Sequence, residues 1–221
     1  MPIPGLSGIM AGLRTMPVIS YIGTPTPDTT NASAYTFAGA SIGAASVDRL
    51  VVVAATLDSP SANSEIDTIT IDGNGMTIHA ESPSGIGVNQ IAIASLLVAA
   101  GTTADIVVNL SNNSRCCSVH VFTITGLFST TPTDTLINVG GSSDPTGTID
   151  VEDKGILIAA AVSAAGTTCS WTGVTEDYDN APETGTHTVG HESYAAVQSG
   201  LTVTANFGTN STSRMVAVAF Q

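Results

Sequence analysis

Several groups of residues in this chain have types and spacings that do chemistry elsewhere. Gly39-Ala40-Ser41-Ile42-Gly43 matches G-x-S-x-G, the turn that presents a nucleophilic serine where a strand runs into a helix. Here a new strand-like run begins at Leu50 and no helical stretch intervenes, so Ser41 is not expected to act as a nucleophile. His187 and His191 have the i, i+4 spacing of zinc-binding helical histidines, but Thr188, Val189 and Gly190 between them favour extended chain. On a strand the two would stand about 13 Å apart, too far to share one ion. Glu176, Asp177 and Asp179, with Asn180 and Glu183 nearby, form the densest acidic stretch. These are candidate Ca²⁺ ligands, because hard cations take several oxygens from such loops. Trp171, Tyr178 and Tyr194 are candidate glycan contacts, since an aromatic face stacks on a sugar ring. His79 and His120 read as ordinary strand residues, and no phosphate-binding loop or dinucleotide fingerprint is present. The expectation is a protein that is not an enzyme, with no catalytic residue, resident metal or cofactor.

The elements that would carry these residues are strands. Short runs of Val, Ile and Thr alternate with clusters of Gly, Asn, Ser and Pro along the chain. Strands are predicted near Val18–Gly23, Tyr35–Ala38, Leu50–Leu57, Ile66–Ile71, Met76–His79, Gln90–Val98, Asp105–Leu110 and Cys116–Thr125. A second series is predicted near Thr148–Val151, Ile156–Ser163, Cys169–Trp171, Glu176–Tyr178, His191–Gln198, Leu201–Phe207 and Arg214–Phe220. Asp72-Gly73-Asn74-Gly75 reads as a hairpin turn, since Asn and Gly tolerate positive φ. Cys116 and Cys117 are neighbours on a predicted strand and should face opposite ways. With Cys169 they read as buried thiols of a protein made in a reducing cytoplasm.

Composition narrows the partners. The chain has 221 residues, a formal charge of −13 and only 10% charged residues, while Ala, Thr, Ser and Gly account for 103 positions. Such a charge repels phosphate and anionic lipid, which excludes a basic nucleic-acid or membrane surface. The longest nearly apolar runs, Ile91–Ala100 and Ile156–Ala165, are half the roughly 20 residues of a membrane-spanning helix. Scarce Lys and Glu beside abundant Thr, Val and Ile argue for sheet rather than helix.

The two strand series look like copies. Asp48-Arg49 precedes LVVVAA and Asp153-Lys154 precedes GILIAAA, 105 positions on. TPTPD ending at Asp28 parallels TPTD ending at Asp134, and Arg115 in NLSNNSRCCSVHV parallels Arg214 in NFGTNSTSRMVAVAF. VFTITG (Val121–Gly126) closes the first copy yet resembles VISYIG, which opens it. A strand shared between copies favours one all-β, antiparallel, jelly-roll-like sandwich with internal duplication, with copies at about 17–126 and 127–221. Two tandem small sandwiches are the alternative. Uncovered sheet edges with few charges to blunt them point to a homo-oligomer such as a trimer. Residues 1–16 lack strand alternation, and Ile3, Leu6, Ile9, Met10 and Leu13 beside Arg14 suggest an apolar arm that makes an assembly contact.

The phrases VISYIGTPTPDTTNASAYTFAGASIG, DRLVVVAA, TITIDG, TGLFSTTPTDT, GILIAAA and WTGVTEDYD carry a resemblance across roughly residues 18–221. The chain resembles a group of β-rich structural proteins of tailed bacteriophages and prophages. The resemblance implies a non-enzymatic virion component made in the host cytoplasm: a head decoration, a fibre or a tail protein contacting capsid or tail proteins. A carbohydrate-binding module that touches host surface glycans is the alternative expectation.

Overall fold

The computed structural model describes residues 15–58, 64–83, 89–141, 144–208 and 212–221. The first copy contains β1 (Val18–Gly23), β2 (Ala32–Ser41), β3 (Leu50–Asp58), β4 (Ile66–Ile71), β5 (Asn74–Gly75), β6 (Thr77–Glu81), β7 (Gln90–Leu97), β8 (Thr103–Ser114) and β9 (Cys116–Thr125). The second contains β10 (Asp134–Gly141), β11 (Thr146–Val151), β12 (Gly155–Ser163), β13 (Ser170–Thr172), β14 (Thr175–Asn180), β15 (Thr186–Tyr194), β16 (Gln198–Asn206) and β17 (Ser213–Phe220). Among the described residues no helix is long and apolar enough to cross a membrane.

The all-β antiparallel sandwich expected from the sequence is present, and its duplication takes the tandem form. The first copy builds one sheet in the order β1-β9-β3-β7-β6 and a second in the order β2-β8-β4-β5. The second copy repeats the plan with β10-β17-β12-β15-β14 and β11-β16-β13. Each copy thus closes its own two-sheet sandwich, in place of the single jelly-roll-like sandwich favoured by the sequence. The shared-strand argument fails because VFTITG belongs to β9 and pairs with β1 and β3 of its own copy. The second copy opens with its own edge strand, β10, paired to β17.

The two sandwiches stack through their five-stranded sheets, which makes four layers and three cores. The period of two along a strand assigns each residue to a core. In β3, Val51, Val53, Ala55 and Leu57 face β2, β4 and β8 in the first core, while Leu50, Val52 and Ala54 face the other sandwich. In β12, Ile156, Ile158, Ala160 and Val162 face back into that middle core, and Leu157, Ala159 and Ala161 enter the third. Both strands are buried at all nine positions, which is why they read as unbroken apolar runs rather than alternating ones. Ala54 and Ala160 in the middle core leave room for close approach. Cα atoms of β12 come within 8 Å of β3 and β7, nearer than the roughly 10 Å of ordinary stacked sheets.

Register tests the repeat residue by residue. The 105-position offset holds for β3 and β12, which start at Leu50 and Gly155. Leu57 pairs with Cys117, and its counterpart Val162 pairs with Arg214. Arg214 therefore matches Cys117 and not Arg115, two positions earlier. TPTPD also fails to match TPTD, because the first follows β1 whereas the second leads into β10, the counterpart of β1. The predicted hairpin forms between β4 and β5, with Asp72 at φ 48° and Gly73 at φ 77°.

Because the middle core belongs to both copies, they should unfold together. The lone Trp171 reports the second copy, and reaction of the Cys117 thiol, buried in the first core, reports the first. Ile158→Ala should cost about 2–5 kcal/mol and shift both signals equally in a denaturant titration. A displacement of the Trp171 transition alone would show that the copies are energetically independent.

Candidate functional site

The middle core is apolar at one end of the stack and polar at the other. Thr56 and Asp58 of β3, Cys116, Ser118 and His120 of β9 and His187 of β15 lie on the strand faces turned to the opposite sandwich, and all are buried. They form a hydrogen-bonded seam. The Tyr21 hydroxyl lies 2.5 Å from Thr24 Oγ1, which lies 2.7 Å from His120 Nδ1. His120 Nε2 is 3.1 Å from Thr56 Oγ1, and Thr56 Oγ1 is 3.0 Å from His187 Nδ1. Ser118 Oγ approaches the same His187 nitrogen at 2.8 Å. The seam thereby runs from β1 at the edge of one sandwich to β15 in the other.

One proton arrangement links Tyr21, Thr24, His120, Thr56 and His187 in a single chain, with Ser118 Oγ beside the same nitrogen of His187. Tyr21 donates to Thr24, Thr24 to His120 Nδ1, His120 Nε2–H to Thr56, and Thr56 to His187 Nδ1. The chain then ends at His187 Nε2–H, which is buried and has no partner. A buried donor left in this way costs about 1–3 kcal/mol. Burial, with His187 nearby, holds His120 well below the usual histidine range. Burial also brings His187 down to about 4, against the opposing pull of the Asp58 carboxylate. Both imidazoles are therefore neutral at pH 7. Asp58 Oδ2 meanwhile accepts from Thr184 Oγ1 at 2.6 Å across the same interface, and Asn89 Nδ2 donates to the Ser163 carbonyl. Around the seam Tyr178 lies against His120 with ring centroids 4.8 Å apart, and Tyr21 against Phe122 at 5.1 Å. His191 Nδ1 lies 2.6 Å from Asp177 Oδ2. Sequence reading missed the seam, because His120 looks like any strand histidine until a second sandwich covers it.

The residues singled out in the sequence are dispersed. His187 and His191 both lie on β15, as expected for extended chain. Trp171 Nε1 donates to Thr188 Oγ1 at 2.9 Å and its ring packs on the third core. Tyr194 packs on that core too, donating to the Gly173 carbonyl, whereas Tyr178 packs on the middle core. The three aromatics therefore make no common sugar platform. The acidic stretch is divided by a β-bulge in β14 between Glu176 and Tyr178: Asp177 turns to His191, while Asp179 Oδ2 accepts from the Cys169 N–H at 2.9 Å. Glu176 is exposed, and among the described residues no three His, Cys, Asp or Glu side chains converge as metal ligands. The Ca²⁺ set is thus not assembled. Ser41 ends β2, exposed on a shallow recess with Ile22, Gly39 and Ala40. Cys117 enters the first core and Cys169 the third, while Cys116 lies on the opposite face of β9 from Cys117. The arm residues Ile3, Leu6, Ile9, Met10, Leu13 and Arg14 lie outside the described residues.

At the apolar end of the stack the two copies meet around a groove of about 310 Å³, lined by Thr15, Pro17, Leu127, Phe128, Lys154 and Gln221 among others. Phe128 N–H donates to the Gln221 carbonyl at 2.8 Å, and Gln221 Nε2 donates to the Asp153 carbonyl at 3.0 Å. The inter-copy connection, the C-terminus and the first described residues are therefore side by side.

No protein-family model matches the chain, and no curated protein matches it. Solved structures similar to it include one described as an anti-sigma factor domain-containing protein, at 10% identity, covering 92% of this chain and 86% of that one with a TM-score of 0.27. Another, described as BspA_C_mut, is 10% identical and covers 85% of this chain and 81% of that one with a TM-score of 0.22.

The seam makes stability depend on acid. An unfolded histidine takes up a proton near pH 6.5, whereas folded His187 resists until about 4. Its contribution is whole above pH 6.5 and is lost progressively as pH falls toward 4, amounting to roughly 3 kcal/mol. Denaturant titrations of the wild type and His187→Gln at pH 7 and pH 4 should show the wild type losing that much more between the two. Equal losses would show that His187 is not held neutral by the fold.

Proposed function

We propose that the chain is a non-enzymatic structural protein on the surface of a tailed-phage particle, held at one end through its N-terminal residues. The observation that carries this reading is the position of the N-terminal chain. It meets the fold at Thr15–Pro17, on the groove at one end of a stack whose four layers share continuous cores. A stack tethered at one end by the segment that precedes it is suited to project from a larger body. The residue-level resemblance to phage structural proteins supplies the class of that body, a capsid or a tail. The seam suits the role as well, since His187 is held by Thr56 and Ser118 of the other sandwich and so helps to join the two.

Deletion of residues 1–16 should abolish incorporation into purified particles while the β-type circular dichroism spectrum and the thermal midpoint stay unchanged. The readout is immunoblotting of particles grown with each form. Full incorporation of the truncated chain would overturn the anchoring role.

A further inference from the structure

The exposed large apolar side chains of the described residues are not scattered. Six of the seven, Met16, Val18, Val47, Leu97, Phe128 and Val197, lie at the end of the stack that carries the groove, and Ile137, in mid-strand, is the exception. Val47 is 92% exposed and Val18 63%. Hydrogen bonds and register gather them. Asp48, next to Val47, accepts from the Gly126 N–H at 2.8 Å, and a Cβ at Gly126 would touch Pro17, the neighbour of Met16 and Val18. Leu97 pairs with Leu50 at the start of β3, and Val197 lies in the turn whose Gln198 pairs with Val151, close to Lys154. The opposite end, where Asp58, Thr184 and Asn89 meet, has no exposed large apolar residue among those described. Single exposed apolar residues are ordinary, but a concentration on one end marks a contact surface.

Charge selects the occupant. The same end carries Asp48, Asp134, Glu152, Asp153 and Glu192, and of its two cations among the described residues Arg49 is fully buried with its guanidinium spent on backbone carbonyls. A second copy would bring the same acids against them, in a chain of net charge −13. A partner with a basic rim would bring complementary ones. We propose that this end is a docking surface for a partner protein whose contact patch is apolar at its centre and Lys/Arg-rich at its rim. The inference rests on the end used by the anchoring reading but is tested separately, on purified full-length protein without particles.

The probe is an amphipathic Leu/Lys helical peptide of about 18 residues, compared with a Leu/Glu peptide of the same pattern and followed by fluorescence anisotropy. Binding of the Leu/Lys peptide is expected, weakening as salt rises from about 0.05 to 0.5 M. The Val18→Asp/Val47→Asp variant should bind about tenfold more weakly, although it adds two negative charges, while Ile137→Asp should bind like wild type. Circular dichroism checks that both variants are folded. Unchanged or tighter binding by the double variant would reduce the effect to net charge and overturn the proposal. Equal binding of the Leu/Glu peptide, or no binding of either, would overturn it too. Binding that appears only after removal of residues 1–14 would make the chain's own N-terminal segment the occupant. Dimerisation in sedimentation, abolished by the double variant and favoured by salt, would make a second copy the occupant.

Discussion

The contact between the two five-stranded sheets governs the rest of the molecule. A sheet covered on both faces has no side on which a polar side chain can reach water. The residues of β3, β12 and β17 are therefore apolar or bonded where they stand, with the exception of Arg214 in β17, whose buried Nε and Nη1 have no partner. That condition selects LVVVAATLD, GILIAAAVS and SRMVAVAF. It also places small Ala where the layers come closest. It accounts for the composition as well, because a large share of the chain has no position open to a charge. The acidic residues are left to the outer layers, the turns and the ends.

Two of the buried polar groups meet that condition in different ways. Arg49 is fully buried, yet its guanidinium meets no carboxylate. It donates to the carbonyls of Ile42, Gly43, Val98 and Ala100, tying the turn before β3 to the turn after β7. Desolvation is offset by backbone dipoles, and the cation closes the end of the first sandwich. The imidazoles of the seam bring no charge to stabilise, because burial keeps His120 and His187 neutral. The seam's hydrogen bonds are directional where apolar packing is not, so they set the register of one sandwich on the other. The orphan Nε2 of His187 is the cost of ending a chain of single donors inside a core.

How much of this was legible follows from the range of each signal. Strand alternation and turn chemistry are local, and Asp72-Gly73-Asn74-Gly75 was readable as a hairpin from its residues alone. The repeat was readable at Asp48 and Asp153, where a turn abuts a long buried strand and the pattern is strong. It misled at Arg115 and Arg214, because bulges and loop lengths change the count between copies, and only pairing to β3 and β12 restores it. Strand β10 was overlooked, since DTLINVGG follows a Thr/Pro-rich stretch and has few apolar residues. The stacking of two sandwiches was not legible. An unbroken apolar run marks a strand covered on both faces, but not what covers it. The seam shared that fate, because Thr56, Ser118, His120 and His187 are distant in sequence and meet only across that contact.

The copies diverge most where they meet solvent at the groove end. Position 49 and position 154 are equivalent by the offset of β3 and β12, and both carry a cation. Arg49 turns inward, whereas Lys154 sits at φ 57° in the tight turn that begins β12, and that turn leaves Glu152 and Asp153 exposed. One ancestral type of slot thus produces a buried clasp in the first copy and a surface turn in the second. The consequence is an end with an acidic rim and little basic charge to balance it, around side chains such as Val18 and Val47 that water does not favour. A repeat that had stayed symmetric would have presented the same surface twice. Divergence at these turns makes the two ends of the stack unlike and gives it a single direction.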